Sequence, residues 1–295
     1  MHKKNDEGHM LHCRPLLFVL FFIPAVGFSQ EPDPGHSHEG EAFDEGPRSF
    51  ARLLPNDAAI DFSVTGCSAE AKAFIDQGIG QLHGFLNYES ERSFRHAAFL
   101  DPECMMAYWG MAQANAVWAR NSERALAFVA KARERLTPDH TERERLYVES
   151  IEGLSNVDLE AGAVAYARKL QEIYTNYGDI DAKAFFVAEV WHRKLHEHFG
   201  FEGEYRERTL PLYSLANEVL AVNANHPVHH YIVHMWDNKN DYELALSSAD
   251  RIGWSGPTVA HLWHMGGHIF YQAELPFETW WQQEAGARVD HIYME

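Results

Sequence analysis

The chain has 295 residues, a formal net charge of −18, and 46% hydrophobic and 13% aromatic residues. That length accommodates a large core or an elongated array of repeats, and the apolar content excludes wholesale disorder. The acidic balance excludes nucleic acid and disfavours anionic membranes as partners, because both select basic surfaces. It also attracts cations loosely, so any claim of specific metal binding has to rest on the pattern of the histidines.

The N-terminus reads as a secretory signal over residues 1–29. Leu16 to Phe28 is a short apolar run behind Arg14, closing on the small residues Gly27 and Ser29. It is too short for a comfortable membrane span and contains Pro24, so no stable membrane insertion is expected after cleavage. The expected location is periplasmic or extracellular, with an uncleaved anchor as the alternative. Residues 30–65 read as a flexible acidic tail without apolar periodicity, in which His36 and His38 are at most loose ligands. Cleavage removes Cys13 and leaves Cys67 and Cys104, which predicts one disulfide in an exported chain rather than two separate buried thiols.

Residues 66–295 are helical in pattern almost throughout, with apolar residues at three- and four-residue steps. Breaks fall at Asp101-Pro102, Thr137-Pro138, Tyr177-Gly178, Asn225 to Pro227 and Gly253 to Pro257. Helix after helix with short breaks predicts an all-α fold.

The segment Ala71 to Pro102 resembles a tetratricopeptide repeat. With Pro102 as the closing proline, Phe74 takes the large position and Gly78 the small position of the first helix. Phe94 and Ala97 then fall on the second helix, and Ser90 stands where alanine is usual. Trp263, Gly267 and Tyr271 repeat the first-helix pattern near the other end, after Ala245 and Ala249. Residues 139–225 fit loosely. The resemblance implies a right-handed superhelical solenoid of helical hairpins whose first helices line a concave groove. It also places Cys67 just before the first helix of a hairpin and Cys104 just after its second. More narrowly, HPVHHYIVHMWD (226–237) and HLWHMGGHIF (261–270) resemble signature blocks of exported bacterial repeat proteins of uncharacterised function. Gly266-Gly267 replaces the Pro-Ser usual there, which predicts a more flexible helix between two histidines. The abrupt end at Glu295 predicts a chain truncated at its C-terminus.

The histidines of those blocks are spaced by the repeat period. His230 and His264 are 264 − 230 = 34 residues apart, as are His234 and His268. At about 100° per residue, His261, His264 and His268 lie within roughly 60° of one another, and His226, His230, His234 and Asp237 within roughly 80°. Register with the repeat implies that both stripes face the same groove. Neutral imidazoles suit Zn, Cu, Ni or Fe, so these seven residues form the expected metal site. His192, His196 and His198 are out of register and read as a solvated face. Glu189, where a small residue is usual, reads as local degeneracy.

Catalytic signatures are thin: HExxH, GxSxG, a Walker loop, GxGxxG and CxxCH are all absent. The expected function is therefore an exported binding scaffold with a histidine-lined metal site. The alternatives are a metal-free module that takes a peptide or protein in the groove, and a metal-dependent hydrolase or oxidase with Asp237 as base.

Overall fold

Alternating helical stripes, polar caps and helix breakers organise the chain into successive helices. The computed structural model describes residues 46–47, 49–55, 58–116, 122–154 and 158–294. The expected signal and residues 30–45 lie outside them. Among the described residues the fold is all-α, with twelve α-helices and two 3-10 turns and no strand. No described helix is long and apolar enough to cross a membrane.

The helices are α1 (Ala69–His83), α2 (Asn87–Leu100), α3 (Met105–Ala116), α4 (Ser122–Glu134), α5 (Glu142–Gly153) and α6 (Leu159–Tyr177). They continue as α7 (Ile180–His192), α8 (Tyr205–Val222), α9 (His229–Trp236), α10 (Leu246–Ser255), α11 (Ala260–Gln272) and α12 (Pro276–Met294). Each expected break falls between two of these helices, except that α10 runs on to Ser255 and so past the Gly253 where the last break was expected to begin. Starts are marked by side chains that accept the orphan N–H groups of a first turn: Ser68 for α1, Thr141 for α5, Asp158 for α6 and Asp179 for α7. Gly178, at φ 66°, ends α6 in the left-handed conformation open to glycine.

Each helix packs on the next in the chain. Odd-numbered helices also touch in turn, α1 on α3 on α5, and α7 on α9 on α11. Three helices end in the same way. Phe85, Lys194 and Glu274 adopt φ of 58°, 59° and 59°, each two residues beyond its helix. The following leucine returns its N–H to a carbonyl five residues back, Leu86 to Gln81, Leu195 to Val190 and Leu275 to Phe270, each at 2.9 Å. This six-to-one closure turns the chain sharply into the next element.

Packing is closest around Phe94, which is fully buried on α2. A Cβ on Gly78 of α1 or on Gly110 of α3 would meet its ring at 2.7 and 2.3 Å. The two glycines thus let three helices close on one aromatic ring, and Phe94→Ala would leave a cavity costing about 3–5 kcal/mol. Helix α3 (MMAYWGMAQANA) is buried at every position and forms the centre of this part of the core. A disulfide joins Cys67 to Cys104 across a separation of 37 residues, stapling the start of α1 to the start of α3. Closing a loop of that size removes about 4 kcal/mol of unfolded-chain entropy.

Residues 49–55 and 58–65, expected in the acidic tail, run along this core instead. Phe62 is fully buried and stacks on Trp109 with centroids 5.6 Å apart. The Phe62 N–H donates to Asp76, and the Leu54 N–H donates to Gln77. The strongly acidic composition that marks the tail ends before this stretch, and isolated apolar residues are enough to anchor the rest.

Candidate metal centre

The site is assembled where the end of α1 meets the starts of α7, α9 and α11. His226 lies in the loop before α9, ahead of Pro227, which cannot donate a backbone hydrogen bond. The Val228 N–H, an orphan donor at the mouth of α9, donates to His226 Nδ1 at 3.0 Å. That nitrogen is therefore bare, and the ring carries its proton on Nε2. His226 Nε2–H then donates to Asp181 Oδ1 at 3.1 Å.

His83 approaches the same carboxylate from α1. Its Nε2–H donates to Asp181 Oδ1 at 3.1 Å, while its Nδ1 accepts the Tyr231 hydroxyl at 2.8 Å. All four residues are buried. Burial pushes the His83 imidazole down to about 4, against the opposing pull of Asp181. Burial alone would raise the Asp181 carboxyl, but the N–H groups of His226 and His83 outweigh it and hold the group below the usual range. The ligating atoms of His83, Asp181 and His226 lie within 4.8 Å of one another, close enough for a metal ion. In the hydrogen-bonded arrangement, however, both rings present protonated Nε2 atoms to Asp181, and no imidazole lone pair faces the centre.

The neighbouring histidines are arranged differently. His230 on α9 is fully buried, and its Nδ1 lies 2.6 Å from the backbone carbonyl of His83. A carbonyl only accepts, so the proton is on Nδ1 and the lone pair is on Nε2. That Nε2 faces His234 Nε2 at 3.0 Å. The His261 ring, on α11, lies 4.9 Å from His230 and 6.1 Å from His234, centroid to centroid. The ligating atoms of His230, His234 and His261 all fall within 4.8 Å of one another, so the three can hold a metal ion.

Phe85 covers this group. Its ring centroid is 4.3 Å from that of His230, 5.7 Å from His234 and 6.2 Å from His261. Burial keeps all three imidazoles neutral: His230 is pushed far down, His234 down to about 4, and His261 down in the same direction. Neutral imidazole is the metal-binding form.

The seven expected ligands thus divide. His230, His234 and His261 come together. His226 is drawn away to Asp181, because capping the entry to α9 fixes its ring. His264 and His268 lie further along α11, with Nε2 atoms 2.9 Å apart. Asp237 caps the C-terminus of α9, accepting from His268 Nδ1 at 2.8 Å and from Gln272 at 3.3 Å. One further expectation is corrected. His196 is buried in the 3-10 turn His196–Phe199 instead of lying on a solvated face, although His198 is exposed and paired with Glu160. Glu189 is also buried, where it pairs with Arg193 and lines a small cavity with Gln113, Tyr166 and Tyr231. It is a carboxylate of the interior.

His83, Asp181, Tyr231 and Phe85 were not read from the sequence. His83 lies 98 residues from Asp181 and 147 from His230, so no local spacing reports their meeting. No protein-family model matches the chain, and no curated protein matches it.

Proposed function

We propose that the chain is an exported tetratricopeptide-like scaffold that binds a borderline transition-metal ion, Zn, Cu, Ni or Fe, through His230, His234 and His261. The observation that carries this reading is the proton on His230 Nδ1. The His83 carbonyl accepts it at 2.6 Å, which fixes the ring and turns its lone pair toward two further imidazoles. An outer acceptor that fixes tautomer and orientation is the usual support of a ligating histidine. Three protein ligands leave a coordination position for solvent or an exogenous ligand. The repeated six-to-one turns and the stacking of odd-numbered helices support the solenoid reading, and the Cys67–Cys104 disulfide is compatible with an oxidising compartment.

Asp237 is engaged with His268 and Gln272, so it orients a ring and is not placed as a base for the His230 group. For that reason a scaffold is preferred to a hydrolase or oxidase. One observation favours a second reading, the metal-free module. A cavity of about 630 Å³ lies between the first hairpin and α12, walled by Phe50, Leu54, Pro257, Val289 and Ile292. Its size and apolar lining suit a short peptide segment.

The test is calorimetric titration of the metal-free protein with Zn²⁺, beside His261→Ala and His234→Ala. Both rings are only half-buried, so both variants should fold. Loss of one binding event in each variant is the expected result. Identical isotherms in wild type and both variants would leave the groove reading in its place.

A further inference from the structure

His264 and His268 lie one turn apart on α11, outside the His230 group. The proton of each ring is fixed from its far side. Gln283 Nε2–H donates to the His264 carbonyl at 3.2 Å, which turns the amide oxygen toward His264 Nδ1 at 2.6 Å. An amide oxygen only accepts, so the His264 proton is on Nδ1. Asp237 Oδ2, 2.8 Å from His268 Nδ1, fixes the second ring in the same way. Neutral rings held like this bring two bare Nε2 atoms within 2.9 Å of each other, their planes at 84°. That contact is repulsive unless a cation occupies it.

We propose that His264 and His268 form a second binding site for a borderline transition-metal ion (Zn²⁺, Cu²⁺ or Ni²⁺), separate from the His230 group. Two imidazole nitrogens at about 2.0–2.1 Å from one ion and subtending about 90° are about 2.9 Å apart. Gln283 and Asp237 are its outer partners, the amide and carboxylate that hold each ligand in the binding tautomer. Imidazole selects these ions over Ca²⁺ and Mg²⁺, which take mainly oxygen ligands.

The glycine step in this helix has a role in the same arrangement. A Cβ on Gly267 would lie 2.3 Å from Gln283 Nε2. Glycine there keeps open the path by which Gln283 crosses α11 to reach His264. His264 also borders a cavity of about 500 Å³ whose walls include Leu86, Ala287, Asp290 and Tyr293. An ion on the pair thus has coordination positions toward that cavity. They suit a small molecule with an oxygen or nitrogen donor, neutral or cationic given the acidity of the chain.

The competing occupant is a proton, with His268 as imidazolium against Asp237. Full-length metal-free protein is titrated with Cu²⁺ and followed by calorimetry and electron paramagnetic resonance. His264→Ala/His268→Ala should bind one equivalent fewer than wild type and lose a two-nitrogen copper signal. Gln283→Ala should retain the equivalent with about 10- to 100-fold weaker affinity. Unchanged stoichiometry and spectrum in the double variant would overturn the proposal, as would imidazole ¹⁵N resonances showing His268 doubly protonated in copper-free, zinc-saturated protein. The His230 group is read independently through His261→Ala, so either site can fail alone.

Discussion

Two histidine groups share the end of α1 and differ in one respect, the direction in which their protons point. In the His83–Asp181–His226 group every ring nitrogen has a partner, from the Val228 N–H on one side to the Tyr231 hydroxyl on the other. In the His230 group the outer nitrogen is engaged by a carbonyl, and the inner one turns its lone pair to another imidazole, His234 Nε2 at 3.0 Å, and not to a carboxylate. Both groups bring ligating atoms within 4.8 Å of one another. Proximity therefore does not distinguish a hydrogen-bonded core from a metal centre, whereas the acceptors and donors around the rings do. His83 belongs to both groups, its ring serving the first and its carbonyl the second.

The largest effect that would break this comparison is removal of the shared acceptor. Asp181→Ala leaves two buried N–H donors without a partner and should cost about 3–5 kcal/mol of stability. Zinc affinity of the His230 group should stay within a few-fold. Chemical denaturation beside calorimetry checks both, and Asp181→Asn, which keeps an oxygen for the two donors, should recover much of the loss. A large fall in zinc affinity with little change in stability would mean that the buried group holds the metal after all.

Acid should act next. Burial pushes His83 and His229 down to about 4 in the folded protein, against about 6.5 in the unfolded chain. Between those values the unfolded chain binds protons that the folded one does not, so stability rises with pH across this window and is lost on acidification. At pH 5 the loss is about 2 kcal/mol for each ring. Denaturant midpoints measured between pH 7 and pH 5 should fall accordingly, and less steeply in His229→Gln. A flat profile would show that these rings are not held neutral by burial.

The same contrast governs what could be read from the sequence. The all-α class and the helix breaks were legible because prolines, glycines and caps act locally. Gly78 was expected at a small, close-packed position of the first helix, and the ring it packs against is that of Phe94. The nearness of His230 to His234 was legible from i,i+4 spacing on one helix, whereas the 34-residue spacing pointed to His264 and His268 and did not single out His261 as the third member. What did not show was set by long-range closure. Asp181 meets His83 and His226 from 98 and 45 residues away, and His226 left its stripe because α9 begins only at His229. Glycines 266 and 267 looked like flexibility, but the structure uses them for close approach to α10 and α12.

The smallest expected effect on stability gives the sharpest test of what covers the open group. Phe85 holds φ at 58°, a conformation costing a non-glycine residue about 1–2 kcal/mol, while its half-buried ring contributes about the same by burial. Asparagine tolerates that backbone better and removes the ring. Phe85→Asn should therefore leave thermal stability nearly unchanged. Its ring faces His230, His234 and His261 but not Asp181, so the variant should speed exchange of bound zinc with a chelator and leave the acid sensitivity of His83 in place. Lys194 and Glu274 occupy the equivalent turns at the same φ. Substituting asparagine there relieves the same strain without uncovering a histidine, so neither should alter zinc exchange. If all three variants quicken exchange alike, the effect belongs to a general loosening of the turns, and Phe85 is not the cover of the site.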